Sequence, residues 1–244
     1  MTPSWPTTVD MSVRQMFVTS NDAVGSAVVV MDENVSASCV GNIRTAAECH
    51  ANIRWVLGGR TVDERRGRAM ALTRDSLELA RKASGHWERV NDDPAGRDAA
   101  ASLRGGIDNT RADLQDLASR RKVTIPKRLS NTELFDRYLP VGYFMFALLS
   151  NVGALPLPFP YFYVDPATGN LNRGYKGLDV ERSYFVTQAS QIQLETCRLV
   201  APVCGWSHYE ELLSDFEERL SPLAQAADRR LRKRRDPNGT CMGQ

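Results

Sequence analysis

The chain has 244 residues, a formal net charge of +2, and 42% apolar and 25% charged residues. This length is sufficient for one large domain or two smaller ones with a hydrophobic core, and the composition excludes a chain that is disordered throughout. The small net charge argues against a polyanion partner for the molecule as a whole.

The first predicted region, 1–128, contains three helices. Apolar residues recur at helical spacing from Val9 to Leu57, which predicts a helix that is broken or kinked near Gly25 or Gly41. The Gly58–Gly59 pair then ends this element, because paired glycines are typical of helix ends.

The second and third helices of this region have clear local signals. Thr61 starts a T-x-x-E capping box, which predicts the beginning of the second helix. The polar cluster that ends at Pro94 predicts a turn, and sparse apolar residues after it predict the third helix. The segment 122–128, which contains Pro126, is interpreted as a linker.

The second predicted region, 129–176, contains a long stretch without charge, from Tyr138 to Val164. A capping box that begins at Ser130 predicts a helix running into this stretch. Three prolines at alternating positions, 156, 158 and 160, then predict an extended backbone. A short β-hairpin or an ordered loop is expected around 161–175, where aromatic residues precede a turn-rich segment.

Either protein or lipid must cover this uncharged stretch. Its helical apolar part, from Pro140 to Leu149, has ten residues, whereas a membrane-spanning helix needs about 20. Burial by protein is therefore favoured, and membrane contact remains the alternative. The residues predicted to make the contact in either case are Tyr143, Phe144, Phe146, Phe159, Tyr161 and Phe162.

The third predicted region, 177–235, contains C-terminal helices with a basic end, and 236–244 is expected to be a flexible tail. One helix is predicted from Leu178 to about Ala201, with a break at Pro202 and Gly205, and the last helix follows. Its end is predicted either to be a solvated helix terminus or to contact an anionic surface such as nucleic acid or lipid headgroups. The basic residues concerned are Arg229, Arg230, Arg232, Lys233, Arg234 and Arg235.

The sequence contains no recognisable catalytic, cofactor-binding or metal-binding motif. Glu48, Cys49 and His50 are consecutive, and on a helix they point about 100° apart, so they cannot converge on one ligand. The five cysteines lack a CxxC pair and are interpreted chiefly as buried thiols. We therefore predict no catalytic residues, no cofactor and no metal site.

Together these patterns predict an all-α protein of five or six mostly antiparallel helices, interrupted by the proline-rich apolar segment. The leading functional hypothesis is a non-enzymatic structural or assembly protein, a subunit of a larger complex that is either membrane-associated or not. One alternative is a helical ligand-binding or sensory domain, and another is a small-molecule enzyme without a known motif. An intracellular reducing compartment is favoured, with a membrane-peripheral location as the alternative.

Overall fold

The computed structural model describes residues 8–32, 37–139 and 179–235, and all regular secondary structure in these ranges is α-helical. The predicted all-α class is therefore confirmed, although the described ranges contain seven helices rather than five or six. The helices are α1 Thr8–Asp32, α2 Ala37–Leu57, α3 Val62–Val90, α4 Pro94–Arg120, α5 Asn131–Tyr138, α6 Asp179–Cys204 and α7 Tyr209–Arg235. The expected hairpin and the expected tail lie outside the described residues.

The predicted break near Gly25 or Gly41 is wrong, because both glycines lie inside helices. The first helix ends instead at Asp32, and the second begins at Ala37. A glycine in a helix interior costs about 1 kcal/mol relative to alanine, and the packing of the helix offsets a cost of that size. A Cβ added at either glycine would meet nothing within 4 Å, so no close approach of another chain segment requires glycine there.

The described residues fall into two compact units. The first comprises the described residues up to Ser12 together with Trp55–Ser130, and the second comprises the described residues within Val13–Arg54 and from Asn131 onward. None of the helices in the described ranges is long and apolar enough to cross a membrane. The greater part of the uncharged stretch lies outside those ranges.

In the first unit, α3 and α4 form an antiparallel hairpin. Three ion pairs join the helices: Arg111–Glu78 at 3.2 Å, Arg81–Asp108 at 2.9 Å and Arg104–Glu88 at 2.5 Å. From one pair to the next, the residue number increases in α3 while it decreases in α4, as antiparallel packing requires. These pairs are solvent-exposed, so each contributes at most about 1 kcal/mol. The hairpin is held mainly by its apolar seam, which includes Met70, Leu114 and Ala118.

Side-chain caps fix where both helices of the hairpin begin. The Thr61 hydroxyl accepts a hydrogen bond from the backbone N–H of Glu64 at 3.1 Å, which confirms the predicted cap of α3. The Asp93 carboxylate accepts from the N–H groups of Ala95 and Gly96, at 3.3 and 3.1 Å. Pro94 occupies the first turn of α4, where its missing N–H costs nothing.

The linker after α4 passes directly over Gly67 of α3. A Cβ built on Gly67 would lie 2.2 Å from the Thr124 carbonyl oxygen. We expect Gly67→Ala to lower the free energy of unfolding by about 1–3 kcal/mol, because the backbone must move to admit the methyl group. Gly105→Ala is the matched control: nothing lies within 4 Å of its added Cβ, so it should stabilise α4 by about 1 kcal/mol. Urea unfolding of both variants tests the prediction, and equal effects would contradict it.

The core of the second unit brings together α1, α2, α5 and α6. Small residues such as Ala23, Ala27 and Ala189 allow the helices to approach closely, and Phe135 of α5 fills the centre with 0% of its surface exposed. Helices α6 and α7 then form an antiparallel pair that packs Leu194 and Cys197 against Leu213 and Leu220. The predicted antiparallel arrangement is thus present in this pair as well.

The end of α6 differs from the prediction, because the helix continues through Pro202 to Cys204. Gly205 then adopts φ +70°, and the N–H of Trp206 donates to the Ala201 carbonyl at 3.0 Å, which is the Schellman geometry. A proline in the last turn of a helix removes only one hydrogen bond close to the end. The left-handed residue, and not the proline, therefore ends the helix.

Candidate functional site

The buried polar centre of the second unit is His50 of α2, of which 2% of the surface is exposed. Its Nδ1 lies 2.9 Å from the hydroxyl oxygen of Thr196 on α6. The Thr196 hydroxyl donates its hydrogen to the Ile192 carbonyl at 2.6 Å, so its oxygen can only accept from the imidazole. His50 therefore carries its proton on Nδ1, and Nε2 is a lone-pair acceptor.

Burial decides the protonation state of this histidine. Desolvation lowers the pKa of His50 from 6.5 to about 4, and the nearby Arg54 guanidinium acts in the same direction. At neutral pH the ring is uncharged. The neighbouring Cys49 thiol is also protonated, because burial and then the Glu48 carboxylate raise its pKa to about 11. At neutral pH the Cys49 thiol is therefore not an activated nucleophile, and the His50 imidazole carries no charge.

His50 lines a cavity of about 370 Å³ formed by residues of α2, α6, α7 and the end of α5. Its apolar wall consists of Leu139, Ile192, Leu194 and Leu220. Its polar residues are His50, Arg54, Gln188, Gln191, Glu195, Glu217 and Ser221. His50 lines the cavity whereas Thr196 does not, and from this we infer that the Nε2 edge of the imidazole, away from Thr196, is the edge that faces the cavity.

The charges around the cavity are largely compensated. Glu195 and Glu217 both line it and both bind the Arg198 guanidinium, Glu195 at 3.0 Å and Glu217 in a close ion pair. Arg198 lowers the pKa of the exposed Glu217 carboxyl through that hydrogen bond. Arg54, another lining residue, donates to the Tyr138 carbonyl at 3.4 Å. Among the described residues, the two carboxylates and two guanidinium groups thus leave no net charge around the cavity.

A second candidate site is the outer side of α7. Leu212, Phe216 and Leu223 expose 64%, 46% and 62% of their surface. At 100° per residue they fall within about 40° of one another around the helix. Leu213 and Leu220, on the neighbouring side, are buried against α6. We call the three exposed residues the α7 stripe.

The charges along α7 are divided between its two halves. The first half carries five carboxylates, Glu210, Glu211, Asp215, Glu217 and Glu218, and the last seven residues carry the six basic side chains singled out from the sequence. Among the latter, Arg229 is exposed on the described helix. The other five belong to α7 as well, but the structure describes only their backbone.

The remaining residues singled out from the sequence do not form a site in the described ranges. The six aromatic residues predicted for the uncharged stretch lie outside those ranges. Glu48, Cys49 and His50 diverge as the helical rotation predicts: Glu48 binds Arg44 at 2.9 Å, while His50 turns towards Thr196. Within residues 8–32, 37–139 and 179–235, no three His, Cys, Asp or Glu side chains are grouped as metal ligands would be.

Sequence reasoning missed the pairing of His50 with Thr196. The two residues are 146 positions apart, and no local pattern links them. Only the packing of α2 against α6 shows that these polar groups meet.

In comparisons with known proteins, no family model, no curated protein and no solved structure matches this chain.

Proposed function

We propose that this chain is a non-enzymatic assembly protein, a subunit that joins other protein subunits through α7. The observation that carries the proposal is the α7 stripe. Three large apolar side chains on one side of one helix form a patch of the kind that marks a protein contact, whereas isolated exposed apolar residues are ordinary. An amphipathic helix with such a patch is a common recognition element.

We further propose that the partner of the stripe is a second copy of α7 in antiparallel orientation. The acidic half of one helix would then lie beside the basic half of the other. Asp215 and Arg229 support this register: both flank the stripe on the same side, and Pro222 is midway between them. Their separation of fourteen residues equals four turns at the 3.5-residue period of a coiled coil. A twofold axis at Pro222 would therefore create the Asp215–Arg229 pair twice.

The basic end of α7 also supports contact with an anionic surface. The six basic residues within seven positions provide a local charge density that nucleic acid or anionic headgroups would attract. Such contact would compete with the antiparallel pairing, because both use the same side chains. Added polyanion should then shift the protein towards monomer, and high salt should weaken both associations.

The apolar part of the proposal is tested by Phe216→Glu and Leu223→Glu, with sedimentation velocity as the measurement. Each substitution places two carboxylates in the paired seam, and we expect each to weaken self-association at least tenfold. Leu79→Glu is the matched control, since Leu79 of α3 is 71% exposed and lies on another helix. A chain that is monomeric at all concentrations, or equal effects of all three substitutions, would contradict self-association.

The orientation is tested by exchanging charges. Asp215→Arg and Arg229→Asp should each weaken the dimer, because each puts two like charges opposite one another. The double variant should recover the dimer, and an equimolar mixture of the two single variants should form a mixed dimer. The exposed Asp215–Arg219 pair at 2.9 Å is also lost in Asp215→Arg, and thermal unfolding measures that separate effect. Failure of both the double variant and the mixture would exclude this register.

A further inference from the structure

We propose that the cavity beside His50 binds a small uncharged molecule with an apolar body and one hydroxyl group, whose O–H donates a hydrogen bond to Nε2 of His50. This site is separate from the α7 stripe, which lies on the exposed side of the helix. A ligand at this site would fit the alternative hypothesis of a helical ligand-binding domain.

Nε2 of His50 is a hydrogen-bond acceptor that no described residue uses. Nδ1 of His50 is committed to Thr196. A buried acceptor without a partner is costly, and native proteins usually satisfy such groups. Because the cavity adjoins this edge of the ring, a donor located in the cavity would satisfy it.

The size and polarity of the cavity suit a small organic ligand. A volume of about 370 Å³ lies in the range of small-molecule pockets, which combine an apolar wall with a few placed polar groups. The four apolar residues Leu139, Ile192, Leu194 and Leu220 supply that wall. A cluster of water molecules would satisfy Nε2 but would leave this wall hydrated, and an organic ligand would dehydrate it.

The charges of the described lining residues favour an uncharged ligand. Arg54 is the cation among the described lining residues, and Arg198, which is not part of the lining, binds the two lining carboxylates. Because these charges compensate one another, the site as a whole offers no net electrostatic attraction to an anion or to a cation. The imidazole of His50, held uncharged by its surroundings, also favours a neutral hydrogen-bond donor. A phenol or a compact alcohol has the required chemistry.

The test compares 2-naphthol with 2-methoxynaphthalene, measured by fluorescence titration and calorimetry on the full chain. The two probes share an apolar body, but the methoxy compound cannot donate a hydrogen bond. We expect 2-naphthol to bind about tenfold more tightly, as expected when a buried acceptor gains its donor. His50→Leu should remove this preference while both probes still bind, and Ser84→Ala in the first unit is the control that should leave it unchanged.

A measurement without substitution keeps the test decisive if His50→Leu fails to fold. The ¹⁵N chemical shifts of the imidazole report which nitrogen is protonated, and the chain has only three histidines to assign. Without ligand, Nδ1 of His50 should be the protonated nitrogen. Saturation with 2-naphthol should move the Nε2 resonance of His50 towards the hydrogen-bonded position, and 2-methoxynaphthalene should not. Equal affinities, no binding of either probe, or an Nε2 resonance that does not move would overturn the proposal.

Discussion

Replacing Phe135 by alanine should lower the free energy of unfolding by about 3–5 kcal/mol. Phe135 is completely buried in a core where α1, α2 and α6 contribute alanines as well as Val40, Ile43, Phe185 and Ile192. The alanines cannot extend into the vacated volume, and the larger neighbours are themselves packed, so the site can collapse only in part. The loss therefore includes both the transfer energy of the ring and the cost of an unfilled cavity.

The measurement is urea unfolding monitored by circular dichroism, with two companion variants. Phe135→Leu retains part of the volume and should lose substantially less stability than Phe135→Ala. Phe216→Ala removes the same side chain from an exposed position, of which 46% is accessible. At protein concentrations low enough to keep the chain monomeric, it should cost less than about 1 kcal/mol. A similar loss for Phe135→Ala and Phe216→Ala would mean that Phe135 does not fill the core.

The sequence predicted those features that depend on neighbouring residues. The start of α3 at the Thr61 cap and the turn before Pro94 are set by bonds that span three residues or fewer. The wrong prediction at Gly25 has the same origin. Local propensity assigns a penalty to glycine, but tertiary packing decides whether the helix continues, and packing is not a local property.

The candidate sites depended on information that the sequence pattern lacks. Leu212, Leu213, Phe216, Leu220 and Leu223 form a single apolar set in the sequence of α7. The structure divides this set, since α6 covers Leu213 and Leu220 and leaves the stripe exposed. Periodicity identifies an apolar side of a helix but does not say how much of it a neighbour covers. The cavity likewise requires the relative placement of α2, α6 and α7.

Acidification from pH 6.5 to pH 4 should lower the free energy of unfolding by about 3 kcal/mol through His50 alone. In the unfolded chain this histidine binds its proton near pH 6.5, whereas in the folded chain burial lowers its pKa to about 4. Between these two values the unfolded state holds more protons than the folded state, so stability falls as the pH falls. At about 1.4 kcal/mol for each unit of pH, the interval corresponds to about 3 kcal/mol.

The contribution of His50 is obtained by comparing the protein with His50→Gln across this pH range. Glutamine can still donate a hydrogen bond to Thr196 from a similar position, but it does not titrate. The free energy of unfolding of the variant therefore lacks the pH dependence that comes from His50. Arg54 on α2, Glu195 on α6 and Glu217 on α7 also line the cavity. Their effects are common to both proteins, so the difference between the two curves isolates the histidine. We expect the free energies of unfolding of the unsubstituted protein and of His50→Gln to differ by a constant amount above pH 7 and to converge as the pH falls from 6.5 to 4. Parallel curves throughout would show that His50 gains its proton at an ordinary pH in the folded protein, and hence that its ring is accessible to water.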